Sequence, residues 1–440
     1  MVIALKNIIK YQEIFIPGKR NPIVVLQNLL QAGMFSQYMM YAGENEVRIA
    51  GNELAKISVS QDAISMKYVN EIYSELVTDP FKQVDKLLSY LPIRNWTAYG
   101  YIGFDIVRFY SSYSKAIQQP LLYFFIPETE LRLTEEGIYL RSIKSLDRIQ
   151  KVLSIDSQLP NYLPVSIEVN DADREIYQNR IATLIKAIQK SELNKAIIAR
   201  SLKITGDLDV LGTYVVGSQI NNSARSYCLN IKNVQAVGFS PEILMQICTD
   251  GSVVTNPLAG TRPRGENPEQ DLRLNDELFT DAKEVKEHSL SVWLAQTEMA
   301  SLCLPGSIQV FNFMEVKKYR CVQHLSSRVS GQIKPGKTLW DALKVLFPGI
   351  TVSGIDKEKA LEWIERLEDE PRGIYAGAIG WVDSNGTADL AIAIRSVYQY
   401  DTNIYLNAGA GIVAESVPEK EYMESVNKMN TMLTNLVLKY

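Results

Sequence analysis

Three strand-like stretches late in the chain, IYAGAIGWVD, ADLAIAIRSVYQY and TNIYLNAGAGIV, are separated only by the short turns DSNG and DTN. Such turns join antiparallel neighbours but leave no room for the crossover of a dozen or more residues that parallel strands require. They argue against a doubly wound parallel sheet and for an α+β fold, with largely antiparallel sheet and the helices outside it.

The preceding sequence fits that class. From Asp173, the apolar set Ile176, Ile181, Leu184, Ile185 and Ile188 follows helical spacing. KAIIARSLKITG then reads as a strand, and SYCLNI, VQAVGF, EILMQIC and SVVTNPLAG as short strands between breakers. Helices are expected at DAKEVKEHSLSVWLAQTEMASLC, TLWDALKVLF and DKEKALEWIERLE, and again at the end of the chain. Nearer the start, VRIAGNELAKISVS reads as strand, turn, strand. VTDPFKQVDKLLSYL reads as an amphipathic helix capped by Asp79 ahead of Pro80, and WTAYGYIGFDIV as a buried strand. RSIKSLDRIQKVLSIDSQLPNYLPVSIEVND is a weakly patterned connector ending in a strand-like stretch. An organisational boundary is expected there, between an N-terminal part (residues 1–165) and a second region (166–440), the two integrated into one structural domain. No short repeat is visible.

Bulk properties narrow the function. The 440 residues carry 46 basic and 50 acidic side chains, a formal charge of -4, so no basic footprint for nucleic acid stands out. Cys228, Cys248, Cys303 and Cys321 are widely spaced and read as small buried hydrophobes. With only His288 and His324 present, a histidine-based metal cluster is not expected. The N-terminal MVIALKNIIKYQ soon turns polar, and no apolar run reaches the length of a membrane helix. A cytoplasmic, membrane-free location is the expectation.

Oxygen-rich chemistry concentrates on two expected helices. Glu284 and Glu287 are three apart in KEVKEHSL, as are Glu421 and Glu424 in EYMESVNKM, so each pair shares a helical face. Converging carboxylates repel unless solvent, protons or a cation offset them, and magnesium (Mg2+) accepts such ligands. Two solvated helix faces would show the same spacing. Lys195, among Ala196, Ile197 and Ile198, is either an edge lysine that snorkels or an amine desolvated enough to act as a base. Glu242, after GFSP, is either a general acid with a raised pKa or an exposed turn acid. NPLAGTRPRG offers Gly260 and Thr261 as donors to a carboxylate, while Arg262 and Arg264 can instead hold structural acids. NAGAG, with Gly409 and Gly411, permits close backbone approach to a ligand. Arg395, buried by pattern in AIAIRSVY, needs a carboxylate partner from either a ligand or the protein.

From Asp173 onward, KAIIAR, GFSPE, PLAGTRPRG, KEVKEH, VQHLSS, RGIYAGAIG, AIAIRS, NAGAG and PEKEYMESVNK occur in an order that closely resembles the chorismate-utilising enzymes. This is the family of anthranilate, aminodeoxychorismate, isochorismate and salicylate synthases. WTAYGYIGFD resembles its first half. The resemblance implies two stacked, largely antiparallel β-sheets flanked by helices. The salicylate synthase branch is resembled most, through VQHLSS, TVSGIDK and Lys195, although Asp356 stands where that branch usually has proline. Anthranilate synthases usually carry glutamine at the Lys195 position. PLAGT also lacks the lysine that PIKGT provides in aminodeoxychorismate synthases.

What the resemblance implies for the site is specific. Lys195 activates water and Glu242 protonates the departing hydroxyl of chorismate. Thr261 and His324 orient the ring-carboxylate side. Tyr375 and Arg395 hold the enolpyruvyl carboxylate, with the Gly409 backbone and Lys428 nearby. Glu287 and Glu424 bind magnesium, with Glu284 and Glu421 acting directly or through water. The expected outcome is salicylate and pyruvate by way of isochorismate, supplying siderophore biosynthesis. The expected enzyme is a monomer with no glutamine amidotransferase partner. An isochorismate synthase shares the first step, and a metal-dependent carboxylate receptor without turnover is the non-enzymatic alternative.

Overall fold

The computed structural model describes residues 8–117, 119–167, 172–319 and 322–439. Among them, 21 strands join in one hydrogen-bonded network, and every extended pairing is antiparallel. The α+β expectation holds. Side chains alternate across each strand, so one strand can feed two cores. In Tyr38–Ala42, Met39 and Tyr41 enter the larger core, whereas Tyr38 and Met40 enter a smaller one. Helices Arg174–Gln189, Ala282–Leu302, Leu339–Leu346 and Lys357–Leu367 cover the larger core. Pro22–Gln31, Leu146–Leu153, Val210–Ser218 and most of the apolar face of Pro418–Leu433 pack on the smaller one. Strands from either side of residue 165 pair directly: Tyr38–Ala42 with Arg225–Ile231, and Thr97–Ile102 with Ala378–Asp383. No helix among the described residues is long and apolar enough to cross a membrane.

Several local expectations are corrected. VRIAGNELAKISVS is one continuous strand, Val47–Val59, with a bulge between Glu53 and Ala55. Its Gly51 serves close packing: a Cβ there would lie 2.2 Å from the Phe35 ring. ADLAIAIRSVYQY is two strands, Ala388–Ile392 and Ser396–Tyr400. The first pairs with Ile243–Ile247 and the second with Val234–Ser240, so the chain must turn where it changes neighbours. Arg395 takes the left-handed φ of +51° at that turn. IYAGAIGWVD becomes a strand only at Ala378, after Ala376 at φ +63°. In the helix Arg174–Gln189, Ile176 is 53% exposed and Tyr177 takes its place in the core. The connector contains the helix Leu146–Leu153, and the end of its strand-like stretch lies outside the described residues. Asp79 precedes its helix without capping it; its carboxylate accepts from Tyr110 Oη and Lys344 instead. Cys228 and Cys303 are buried, Cys248 is half-buried, and Cys321 lies outside the described residues.

Candidate active site

Strand Lys195–Thr205 runs against Asn403–Ile412, with Ile197 opposite Gly411 and Ala199 opposite Gly409. Gly354–Ile355 pairs with Ala196 and Lys195 from the other side. Lys195 is therefore enclosed, only 1% exposed, and is no snorkelling edge residue. Its Nζ lies 2.7 Å from Glu287 Oε1 on the helix Ala282–Leu302. The Glu368–Arg372 ion pair (2.6 Å) fixes this strand further. Glu368 accepts from Ala199 N, and Arg372 donates to the carbonyls of Ile197 and Val352.

A cavity opens beside these strands. Eleven of the thirteen residues expected at the site line it: Gly260, Thr261 and Glu242; Glu284, Glu287 and Glu424; and His324, Tyr375, Arg395, Gly409 and Lys428. Lys195 and Glu421 lie just behind its wall. Glu242 sits between strands Val234–Ser240 and Ile243–Ile247 and is 4% exposed, not a surface turn acid. Burial pushes its pKa up to about 7, against the opposing effect of hydrogen bonds to Oε1 from Thr351 Oγ1 (2.6 Å) and Leu258 N (3.2 Å). Because the Thr351 hydroxyl favours the ionised form, Thr351→Val is expected to move this titration above 7. A pH–rate profile, with its alkaline limb displaced upward, checks this.

Gly260 adopts φ +83° at a register shift between Ala259 and Thr261. That irregularity turns Thr261 N onto Glu284 Oε2 (2.9 Å) and places Thr261 Oγ1 3.0 Å from His324 Nδ1. His324 Nδ1 also lies 3.2 Å from the Gly260 carbonyl, an acceptor, which assigns the proton to Nδ1. Burial, then the charges of Arg395 and Lys428, lower the His324 pKa to about 3, so the ring is neutral. His288 is engaged with Ser327 Oγ at 2.7 Å and does not line the cavity.

The four glutamates each meet a cation. Glu284 Oε1 is 3.0 Å from Arg262, Glu287 pairs with Lys195, Glu421 Oε1 is 3.2 Å from Lys283, and Glu424 Oε1 is 2.6 Å from Lys428. Burial and the Glu287 charge raise the Glu284 pKa; burial and the Glu424 charge raise that of Glu421. For Glu424 burial acts the same way, but Lys428 together with Lys283 outweighs it and the pKa falls. The carboxylates are therefore close enough to repel. Among the described residues, no three His, Cys, Asp or Glu side chains form a ready-made metal centre. The fit to magnesium lies in the oxygen donor set and in the repulsion it would relieve.

Also lining the cavity are Tyr375, whose pKa burial raises to about 12, and the half-buried Arg395. Lys428 Nζ also donates to the Gly409 carbonyl at 2.8 Å. The NAGAG glycines make room for protein as well as ligand. A Cβ on Gly409 would be 2.7 Å from the Ile198 carbonyl oxygen. One on Gly411 would be 2.9 Å from Glu287 Oε1 and 3.1 Å from Lys195 Cε. Arg264 holds Asp271 (2.7 Å), the structural alternative raised from sequence. Three polar lining residues, Lys283, Thr351 and Asn407, lie outside the expected set. Lys283 adjoins Glu284 in KEVKEH and was readable there, whereas nothing local marks Thr351.

A family model described as chorismate binding enzyme matches residues 36–434. The chain is similar to a salicylate synthase from Mycolicibacterium paratuberculosis, with 35% identity over 341 residues, 77% of this chain and 76% of that protein. It is also similar to an anthranilate synthase component 1 from Lactococcus lactis subsp. lactis, 33% identical over 398 residues and 86% of each. For two other anthranilate synthase components it spans 50% and 43% of their length. Its fold is similar to the crystal structure of anthranilate synthase component I from Streptococcus pneumoniae, with a TM-score of 0.76 and 27% identity. That match covers 89% of this chain and 93% of the other.

Proposed function

Because the chain belongs to the chorismate binding enzymes, we propose that its cavity accepts chorismate and that it is a salicylate synthase. One observation carries the reading. A buried lysine, Lys195, backs a cavity whose wall holds a carboxylic acid, Glu242, with a pKa of about 7. Base and acid of this kind suit addition of water and loss of hydroxide. Ala259 at the centre of PLAGT leaves no lysine nucleophile there.

In the first step the Lys195 amine takes a proton from water as the water oxygen bonds to ring C2. Both ring double bonds shift, C1=C2 to C1=C6 and C5=C6 to C4=C5, the C4–oxygen bond breaks, and Glu242 protonates the departing hydroxyl to water. The product is isochorismate. Arg395 and Tyr375 hold the enolpyruvyl carboxylate, assisted by the Gly409 backbone and Lys428. Thr261 and neutral His324 orient the ring-carboxylate side. In the second step a hydrogen moves from ring C2 to the side chain as the ether bond breaks, giving salicylate and pyruvate. That step needs orientation and no further acid or base.

Glu287 and Glu424 would hold magnesium, with Glu284 and Glu421 direct or water-linked, and the bound ion supplies positive charge against the ring carboxylate. The mutual repulsion of the carboxylates supports this, since burial and the neighbouring Glu287 and Glu424 charges raise the pKa values of Glu284 and Glu421. Chelation is expected to suppress turnover and added magnesium to restore it; unchanged activity at verified metal depletion would remove the ion from the proposal.

Incubation of the pure protein with chorismate and magnesium, followed over time, tests the reaction. Salicylate with equimolar pyruvate is expected. Accumulating isochorismate would make it an isochorismate synthase, which uses the same Lys195 and Glu242. Anthranilate on adding ammonia would overturn the water-using reading. Water as the nucleophile requires no glutamine amidotransferase, and we place the product in siderophore supply by a cytoplasmic monomer.

A further inference from the structure

Lys195 does not line the substrate cavity; it lines a second one. This chamber, of about 190 Å³, lies across the Lys195–Glu287 pair. Lys283 and Glu287 line both spaces, and so form part of the partition between them. On the substrate side the partition is as thin as Gly411, where a single added carbon would touch Lys195 Cε and Glu287 Oε1. On the far side the chamber reaches Lys286 and Glu415, which are 68% and 58% exposed and 3.8 Å apart. Its walls mix Leu290 and Val413 with Asn194 and these charged groups. A single water needs only about 10–15 Å³ and two to four polar partners, so the chamber can hold several.

We infer that this solvent-facing chamber is the water entrance for the hydration step, delivering the nucleophile to Lys195 from the side away from the substrate. The inference rests on the proposed reaction. With a dianion filling the substrate cavity, water arriving through the substrate's own entrance would have to pass it. A route behind Lys195 brings water to the amine that activates it while the substrate stays seated. The oxygen entering at C2 comes from this chamber, its proton passes to Lys195, and the hydroxyl leaving C4 takes a proton from Glu242. Atoms and charge balance without another reactant. The second step consumes no water, so it should not depend on the chamber.

That difference is the test. Ala414 lines the chamber but not the substrate cavity, so Ala414→Leu narrows the route without touching the substrate. Both steps are assayed separately, with chorismate and with isochorismate as the starting compound, in the wild type, Ala414→Leu and the milder Ala414→Val. Turnover of chorismate is expected to fall roughly tenfold in the leucine variant and less in the valine variant, while conversion of isochorismate to salicylate and pyruvate is unchanged. Unchanged chorismate turnover in both variants would overturn the inference. So would an equal loss of both steps in both variants, or a loss confined to the isochorismate step, which would make the chamber a product exit. If the wild type makes no salicylate from isochorismate, the proposed function itself fails, a distinct outcome.

Discussion

Glu242→Gln is expected to lower chorismate turnover by roughly a hundred-fold or more with the fold intact, because it removes one positioned acid and little else. Glu242 Oε1 already accepts from Thr351 and Leu258, so the acid proton belongs on Oε2. The glutamine keeps the shape, and its oxygen can keep both hydrogen bonds, but its amide cannot release a proton to a leaving hydroxyl. The pH profile separates loss of an acid from loss of packing. With a pKa of about 7, the competent protonated form is depleted as pH rises through that value. The wild-type kcat/KM should fall along that limb, and the residual activity of Glu242→Gln should lack it. Stability follows the same sign. The folded-state pKa lies above the ordinary 4.5, so the contribution of this group is full below that value and is lost as pH rises through 7. Denaturation of the wild type relative to the glutamine variant should become easier over that window. A near-normal rate in a folded Glu242→Gln protein would end its role as the acid.

Lys195→Ala should produce a comparable or larger loss, by two routes that can be separated. It removes the base, worth roughly a hundred-fold or more. It also leaves Glu287, 12% exposed, without the ammonium 2.7 Å away, a change that typically costs about 3–5 kcal/mol for a fully buried pair and less here. Lys195→Arg distinguishes the two. It keeps a positive charge beside Glu287 and most of the stability, but a guanidinium does not give up its proton to become a base. Activity should therefore be lost in both variants, while denaturant unfolding shows the larger destabilisation in alanine. Recovery of turnover in the arginine variant would mean that the charge, not proton transfer, is what the reaction uses.

How much of this was legible in the chain depended on whether the governing contact was local. The helical spacing of Glu284 with Glu287, and of Glu421 with Glu424, placed each pair correctly on a helix, because that geometry is internal to a few residues. Two of their cations were not legible, since Lys195 lies 92 residues from Glu287 and Lys283 lies 138 from Glu421, whereas Lys428 is one helical turn from Glu424. The same limit hid the break at Arg395, whose apolar neighbours read as one strand. It is interrupted because two different partner strands claim its halves. The helix Pro268–Thr280 was missed for the opposite reason. Only Asp271 and Leu278 are buried on it, so no apolar stripe announced it, and Asn267 capping Gln270 N with Pro268 next in line was the available signal. The turn GFSP marks Glu242 but not its enclosure by Thr351 and Leu258, which no short window contains.

The pairing of Glu424 with Lys428 has a thermodynamic consequence. In the ligand-free protein the Lys428 ammonium occupies an oxygen that a divalent ion would need, and Glu424 occupies an ammonium that the substrate carboxylate would need. Each newcomer must therefore break contacts whose other half is what the second newcomer wants. Linkage then requires cooperation in both directions: chorismate should tighten magnesium binding by the same factor by which magnesium tightens chorismate. Either one titrated alone should bind weakly.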